Sequence, residues 1–226
     1  MASVTQRIKQ IKQPYGGFLK PSEFKITHLG ETESLKEENI HSSLVGLAVD
    51  YLTRFMMGTP AKEAFKISMM GSALINEPKK ATKLLVGISG LDDESICNAC
   101  KLVGYDVVFR AGAAGFKNVD EINPDKDTIN NIRIMVKRSL KFFKEYGPIT
   151  KDGFTFNGGY TRIVDSGDGD FLTADTLWDF KVSKNSPTTA HTLQLLMYYI
   201  MGIHSIYSEF KTIKKIGIYN LFINFF

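Results

Sequence analysis

The sequence predicts a mixed α+β (α/β) protein, with a helical N-terminal part and then a core in the order helix, three strands, helix, strand. Three observations lead there. Apolar residues recur at helical spacing through much of residues 43–146. After Gly158 the texture changes to short β-type runs separated by turn formers. The chain has 226 residues, 43% hydrophobic and 23% charged, enough to bury a sizeable core. That composition excludes a disordered chain, a collagen and a disulfide miniprotein.

Residues 1–42 are polar, with Pro14, Gly16, Gly17, Pro21 and Gly30 scattered through them, and read as a loosely structured arm packed on the main body. Leu44, Leu47, Ala48, Tyr51, Leu52 and Phe55 then share a helical face, with Ser42 or Ser43 as the cap and Gly58-Pro60 as the stop. Residues 61–76 and 78–88 read as helices. Asp92 or Asp93 caps another that Gly104 ends. The piece from Gly104 to Phe116 is ambiguous. Asp127 to Tyr146 is a long amphipathic helix stopped by Gly147-Pro148. Strands are expected at 160–164, 169–172 and 176–183, a helix over 188–203 and a last strand from Lys215 to Leu221. No linker interrupts residues 43–226. They read as one domain, with a helical part at 43–126 and a core at 127–226.

The formal net charge is +4. Residues 151–226 balance seven Lys/Arg against seven Asp/Glu, so the positive excess lies in residues 1–150. Such a balance permits a polyanionic partner without requiring one. The longest apolar run, Leu195 to Ile203, is far shorter than the roughly 20 residues of a membrane span. The polar N-terminus lacks an apolar signal core, and two cysteines suit a reducing compartment. The expectation is a cytoplasmic protein with no membrane partner. Oligomeric state stays open, a homo-oligomer included.

The densest chemistry lies in the segment from Gly167 to Ser183. Side chains alternate along a strand, so Asp179 and Lys181 share one face while Trp178, Phe180 and Val182 take the other. An acid and a lysine on a buried strand need compensation. Asp170 sits on the preceding strand across a short turn, and antiparallel pairing would bring it towards Asp179. Two adjacent carboxylates repel, and a divalent cation relieves that repulsion. An ordinary hairpin with surface acids and an Asp–Lys pair reads equally well from these strands. In the following helix Gln194 and Tyr198 are four apart and share a face. The helix is apolar nearly all round and is expected to be buried.

Taken in order, Gly167-x-x-Asp170, Asp179-Phe180-Lys181 and Gln194-x-x-x-Tyr198 resemble the PD-(D/E)XK nuclease superfamily, closest to its RecB-like and phage-exonuclease-like branch. The resemblance covers about the last hundred residues and implies a restriction-endonuclease-like αβββαβ core. It also implies a Mg²⁺- or Mn²⁺-dependent nuclease acting on DNA, encoded by a phage or mobile element. By the same resemblance Asp170, Asp179 and the Phe180 carbonyl would bind metal. Lys181 would orient or deprotonate the attacking water, and Gln194 and Tyr198 would hold the substrate backbone or fix the ligands. Asp168 is a rival for Asp170, which the Gly-x-x-Asp spacing favours. RecB-like members often carry a histidine ligand in an earlier helix. Asp50 stands at the matching place, as a third acidic ligand or as a helix residue paired with Arg54. That departure, with the modest charge, leaves open a catalytically silent nucleic-acid-binding or defence-related inhibitor protein on the same scaffold.

Three weaker signals remain. Arg133, Lys137, Lys141 and Lys144 form a basic stripe, either a phosphate track for nucleic acid or a solvated face. Cys97-x-x-Cys100 lacks a second pair, so it reads as packed thiols. His191 lies one turn before Gln194, either facing the cleft or serving a structural role. The aromatic C-terminus is expected to dock against the body, form a dimer edge or be a shortened end.

Overall fold

A computed structural model describes residues 2–30 and 33–224 of the chain. Among these residues it is a mixed α+β structure. The helices are α1 (Val4–Ile8), α2 (Ser42–Met56), α3 (Ala61–Ala64), α4 (Lys66–Leu74), α5 (Pro78–Val86), α6 (Asp93–Val103), α7 (Asp106–Ala111), α8 (Lys126–Tyr146) and α9 (Thr189–Ile203). The strands are β1 (Lys151–Phe154), β2 (Gly169–Leu172), β3 (Thr176–Lys181) and β4 (Lys215–Asn220). Among the described residues no helix is long and apolar enough to cross a membrane.

The chain divides into two compact units, and the division differs from the arm-plus-domain organisation expected. One unit combines Met1–Thr32 with Phe142–Phe226, and the other is Glu33–Lys141. The first residues thus belong to the sheet-bearing unit. The boundary falls inside α8, where an unbroken amphipathic pattern gives no sign of it.

The helical unit packs α2 to α7 with the first part of α8. Val45, Ala48, Val49 and Leu52 of α2 and Ile96, Ala99, Cys100 and Leu102 of α6 are buried. The His41 ring, not Ser42 or Ser43, caps α2 by accepting the Ser43 N–H at 3.2 Å. Asp92 caps α6 as expected, accepting the Ser95 N–H at 2.9 Å. The helix expected over 61–76 breaks at Phe65, which is fully buried and leaves helical geometry between α3 and α4. The ambiguous piece after Gly104 forms α7. Its Asp106 is 1% exposed and accepts hydrogen bonds from Tyr51 Oη, at 2.6 Å, and Ser68 Oγ. Burial pushes that carboxyl above its ordinary value despite both donors and Arg110.

The sheet-bearing unit is built on four strands in the order β1-β2-β3-β4. The β1–β2 and β2–β3 pairs are antiparallel, and β3–β4 is parallel. The crossover to the parallel strand carries α9. One sheet face presents Leu172, Leu177 and Ile218 to Leu195, Tyr198 and Met201 of α9, and Val4 of α1 joins that core. On the opposite face Phe171, Trp178, Phe180 and Tyr219 meet the end of α8. Phe142 lies 4.8 Å from Trp178 and 4.3 Å from Tyr219, centroid to centroid, and Phe143 lies 5.0 Å from Phe180. A sheet buried on both faces explains why β3 is apolar apart from its site residues.

Three local expectations are corrected. Residues 160–164 are not a strand. The Thr161 hydroxyl accepts the Ile163 and Val164 N–H groups, and the Thr161 N–H bonds the Val164 carbonyl at 2.8 Å, closing a tight turn. The first strand is Lys151–Phe154 instead, a charged edge strand with little β-type composition. Helix α9 is not buried all round, since Ile200 and Ile203 are 46% and 44% exposed.

The C-terminal segment docks. Leu221 N–H bonds Lys181 O at 2.8 Å, and Asn224 Nδ2 donates to Leu29 O at 2.8 Å. Its last two residues lie outside the described residues.

Candidate active site

The β2–β3 register sets Phe171 opposite Trp178 and Leu172 opposite Leu177, and its continuation sets Asp170 opposite Asp179. Both acids, with Lys181, lie on the sheet face covered by α9. Asp170 Oδ2 accepts the Phe180 N–H at 2.8 Å, which ties one acid to the strand that carries the other. Asp179 is 2% exposed, and Lys181 Nζ stands 2.7 Å from its Oδ2. That contact is an ion pair, because the buried oxygen accepts no well-directed hydrogen bond.

Lys181 reaches on to α9. Its Nζ donates to Gln194 Oε1 at 3.2 Å, and Gln194 Nε2 donates to Tyr198 Oη at 2.9 Å. An ammonium only donates, so the amide oxygen must face Lys181 and the amide nitrogen the tyrosine. The five residues Asp170, Asp179, Lys181, Gln194 and Tyr198 therefore come together, linked from strand to helix. Burial disfavours the Lys181 charge, but Asp179 and Asp170 outweigh it and hold the ammonium above its ordinary value. Burial, with the negative charges of Asp179, Asp170 and Asp168, pushes the Tyr198 hydroxyl up. Asp168 thus acts on the same hollow from just before β2.

The turn that delivers Asp170 is fixed from two sides. Tyr160 Oη donates to Gly167 O at 3.0 Å, and Val4 N–H bonds Ser166 O at 2.9 Å. Gly169 has no side chain because the Phe154 ring occupies the space a Cβ would fill. On the far side Asn220, opposite Lys181 in the β3–β4 register, is 1% exposed. Its Oδ1 accepts from Phe222 N at 3.1 Å and Ser183 N at 3.4 Å, and its Nδ2 donates to Asn185 O. Asn220 thereby fixes the loop that leaves the site. Its one sign in the sequence is a polar residue at period two behind Ile216 and Ile218.

The remaining candidates do not belong to this network. Asp50 belongs to the helical unit, and Arg54 donates to both its oxygens, at 2.9 and 3.1 Å, forming the expected i,i+4 pair. Arg133 does not stand open as a phosphate contact. It donates to Leu91 O at 2.8 Å and to Asp93, tying α8 to the start of α6. Lys137, Lys141 and Lys144 are exposed. Cys100 is buried, and burial raises its thiol far above the ordinary value, as suits a packing residue. Among the described residues no three His, Cys, Asp or Glu side chains gather into a metal cage. The two facing carboxylates still suit a divalent cation, given a buried Asp179 oxygen that accepts no well-directed hydrogen bond and a neighbouring backbone carbonyl at Phe180. No protein-family model, curated protein or solved structure matches the chain.

Proposed function

We propose that this chain is a metal-dependent nuclease of PD-(D/E)XK type that hydrolyses phosphodiester bonds of DNA. One observation carries the reading: Asp170 and Asp179 lie across from each other on one sheet face, and Lys181 beside them is hydrogen-bonded to the Gln194–Tyr198 pair. Element order from α8 to β4 supports a restriction-endonuclease-like core, with β1 earlier than the sequence suggests.

Asp170, Asp179 and the Phe180 carbonyl would hold Mg²⁺ or Mn²⁺. The bound ion would supply an activated water and neutralise charge building on the phosphorus. The chain's own groups do the rest. The Phe180 N–H fixes the Asp170 carboxylate. Lys181 places a positive charge where a phosphate oxygen would lie, and Gln194 holds that ammonium in place. Tyr198, kept protonated by burial, fixes the Gln194 amide through its oxygen.

The test is incubation of the full chain with linear duplex and single-stranded DNA in Mg²⁺ or Mn²⁺. Wild type is expected to cleave, and Asp179→Asn and Asp170→Asn to lose at least about a thousandfold in rate. Equal cleavage by wild type and Asp179→Asn would overturn the reading.

One observation favours a second reading, a silent nucleic-acid-binding or inhibitor protein. Lys181 already compensates Asp179 at 2.7 Å without any cation. Titration calorimetry separates the two. Heat from Mn²⁺ binding that Asp179→Asn abolishes supports the nuclease, and salt-sensitive DNA binding without turnover supports the silent form.

A further inference from the structure

Helix α9 carries a polar stripe longer than the Gln194–Tyr198 pair. His191 precedes Gln194 by three residues and Tyr198 by seven, so the three share one helical face. His191 is also the third helical residue, and its Nδ1 accepts the Thr188 N–H at 3.2 Å as one half of a capping box. A nitrogen that accepts from a backbone N–H carries no proton of its own. The neutral ring therefore holds its proton on Nε2. That tautomer makes Nε2 a donor with no lone pair to offer a metal. Among the described residues Nε2 meets no hydrogen-bond partner, and the ring is half-buried.

The surroundings point the same way. Burial and the positive charge of Lys181 both keep the ring neutral, against a smaller opposing pull from Asp179. His191 lies one helical turn before Gln194, which Lys181 Nζ contacts at 3.2 Å. No acid of its own element offsets the lysine charge, as the first turn of α9 has none.

We propose that His191 donates its Nε2–H to a non-bridging phosphate oxygen of a nucleic-acid backbone lying along α9 beside Lys181. It is a substrate-contacting residue and not a metal ligand. The proposal rests on the nuclease reading and adds the strand's path: the backbone runs over the N-terminal turn of α9. A neutral donor suits this place, since it binds phosphate without drawing the Asp170 and Asp179 carboxylates away from a cation.

Three substitutions separate contact from capping. Glutamine at position 191 keeps both functions, because it is a natural capping-box residue and carries an amide donor at a comparable reach. Alanine loses both. Glutamate keeps the capping acceptor but has no donor, so His191→Glu is expected to melt like wild type with KM raised at least as much as in alanine, and a wild-type KM in His191→Glu overturns the contact. Cleavage of a fluorescein-labelled DNA oligonucleotide in Mg²⁺ gives KM and kcat, and thermal melting gives the fold. His191→Ala is expected to raise KM about tenfold with kcat within about twofold, the size of one lost neutral hydrogen bond. His191→Gln is expected to restore KM to within about twofold of wild type. A KM unchanged in His191→Ala, or a His191→Gln variant as impaired as the alanine, overturns the phosphate contact while wild-type cleavage and its loss in Asp179→Asn leave the nuclease reading standing. Failure of wild type to cleave overturns both.

Discussion

Lys181 is the residue at which the site's electrostatics meet. It offsets Asp179, which is 2% exposed, and donates a hydrogen bond to Gln194. Removing it leaves a buried carboxylate without its counter-charge. Lys181→Met is therefore expected to cost about 3 kcal/mol of stability in metal-free buffer, read as a lower urea midpoint with an unchanged slope. A midpoint equal to wild type would mean that water, not Lys181, compensates Asp179. These residues were legible in the sequence because period two on a strand and period 3.6 on a helix sort side chains by face. What periodicity cannot show is which hydrogen bonds a polar side chain makes. For Asp50 the sequence offers a ligand or a partner of Arg54, and only the structure shows the two short Arg54 contacts.

At the scale of the element, composition misleads wherever a side chain overrides it. Residues 160–164 contain Tyr160, Ile163 and Val164, yet the Thr161 hydroxyl turns the backbone before a ladder can form. Lys151–Phe154 has charges and a glycine, yet pairs with β2 because Thr150 and its neighbours supply backbone groups to that strand's edge. Helix ends were easier to read, since caps are local. The Asp92 carboxylate takes the Ser95 N–H and hydroxyl, and these bonds hold its pKa below the usual 3.8. A depressed value means the cap contributes above the unfolded pKa and is lost as pH falls through the folded one. Asp92→Ala is expected to destabilise by about 1 kcal/mol at pH 7. The gap to wild type should narrow below about pH 3.8, which chemical unfolding at pH 7 and pH 3 checks.

For the whole molecule, the division into units was the least legible feature. Sequence shows where apolar stripes run but not which stretches far apart in the chain will share a core. Val4 is fully buried among residues contributed by 154–218, and nothing in its polar neighbourhood announces that. Binding of a cation to the folded state alone must raise the melting temperature of the chain. Millimolar Mn²⁺ is expected to raise it by several degrees in wild type and by less than about one degree in Asp170→Asn/Asp179→Asn, measured by scanning calorimetry. An equal rise in both would place the ion elsewhere.

The pairing of Leu29 with Asn224 spans 195 residues of chain. On a ribosome adding roughly 5–20 residues each second, the early half of that pair waits about 10–40 s for its mate. The helical unit is contiguous and is fully translated well before then. The acidic hollow belongs to the discontinuous unit, whose parallel strand β4 follows α9 in the chain. A nascent chain therefore carries Asp170 and Asp179 for about 2–10 s before the strand that backs Lys181 exists, and the hollow closes only once that strand is made.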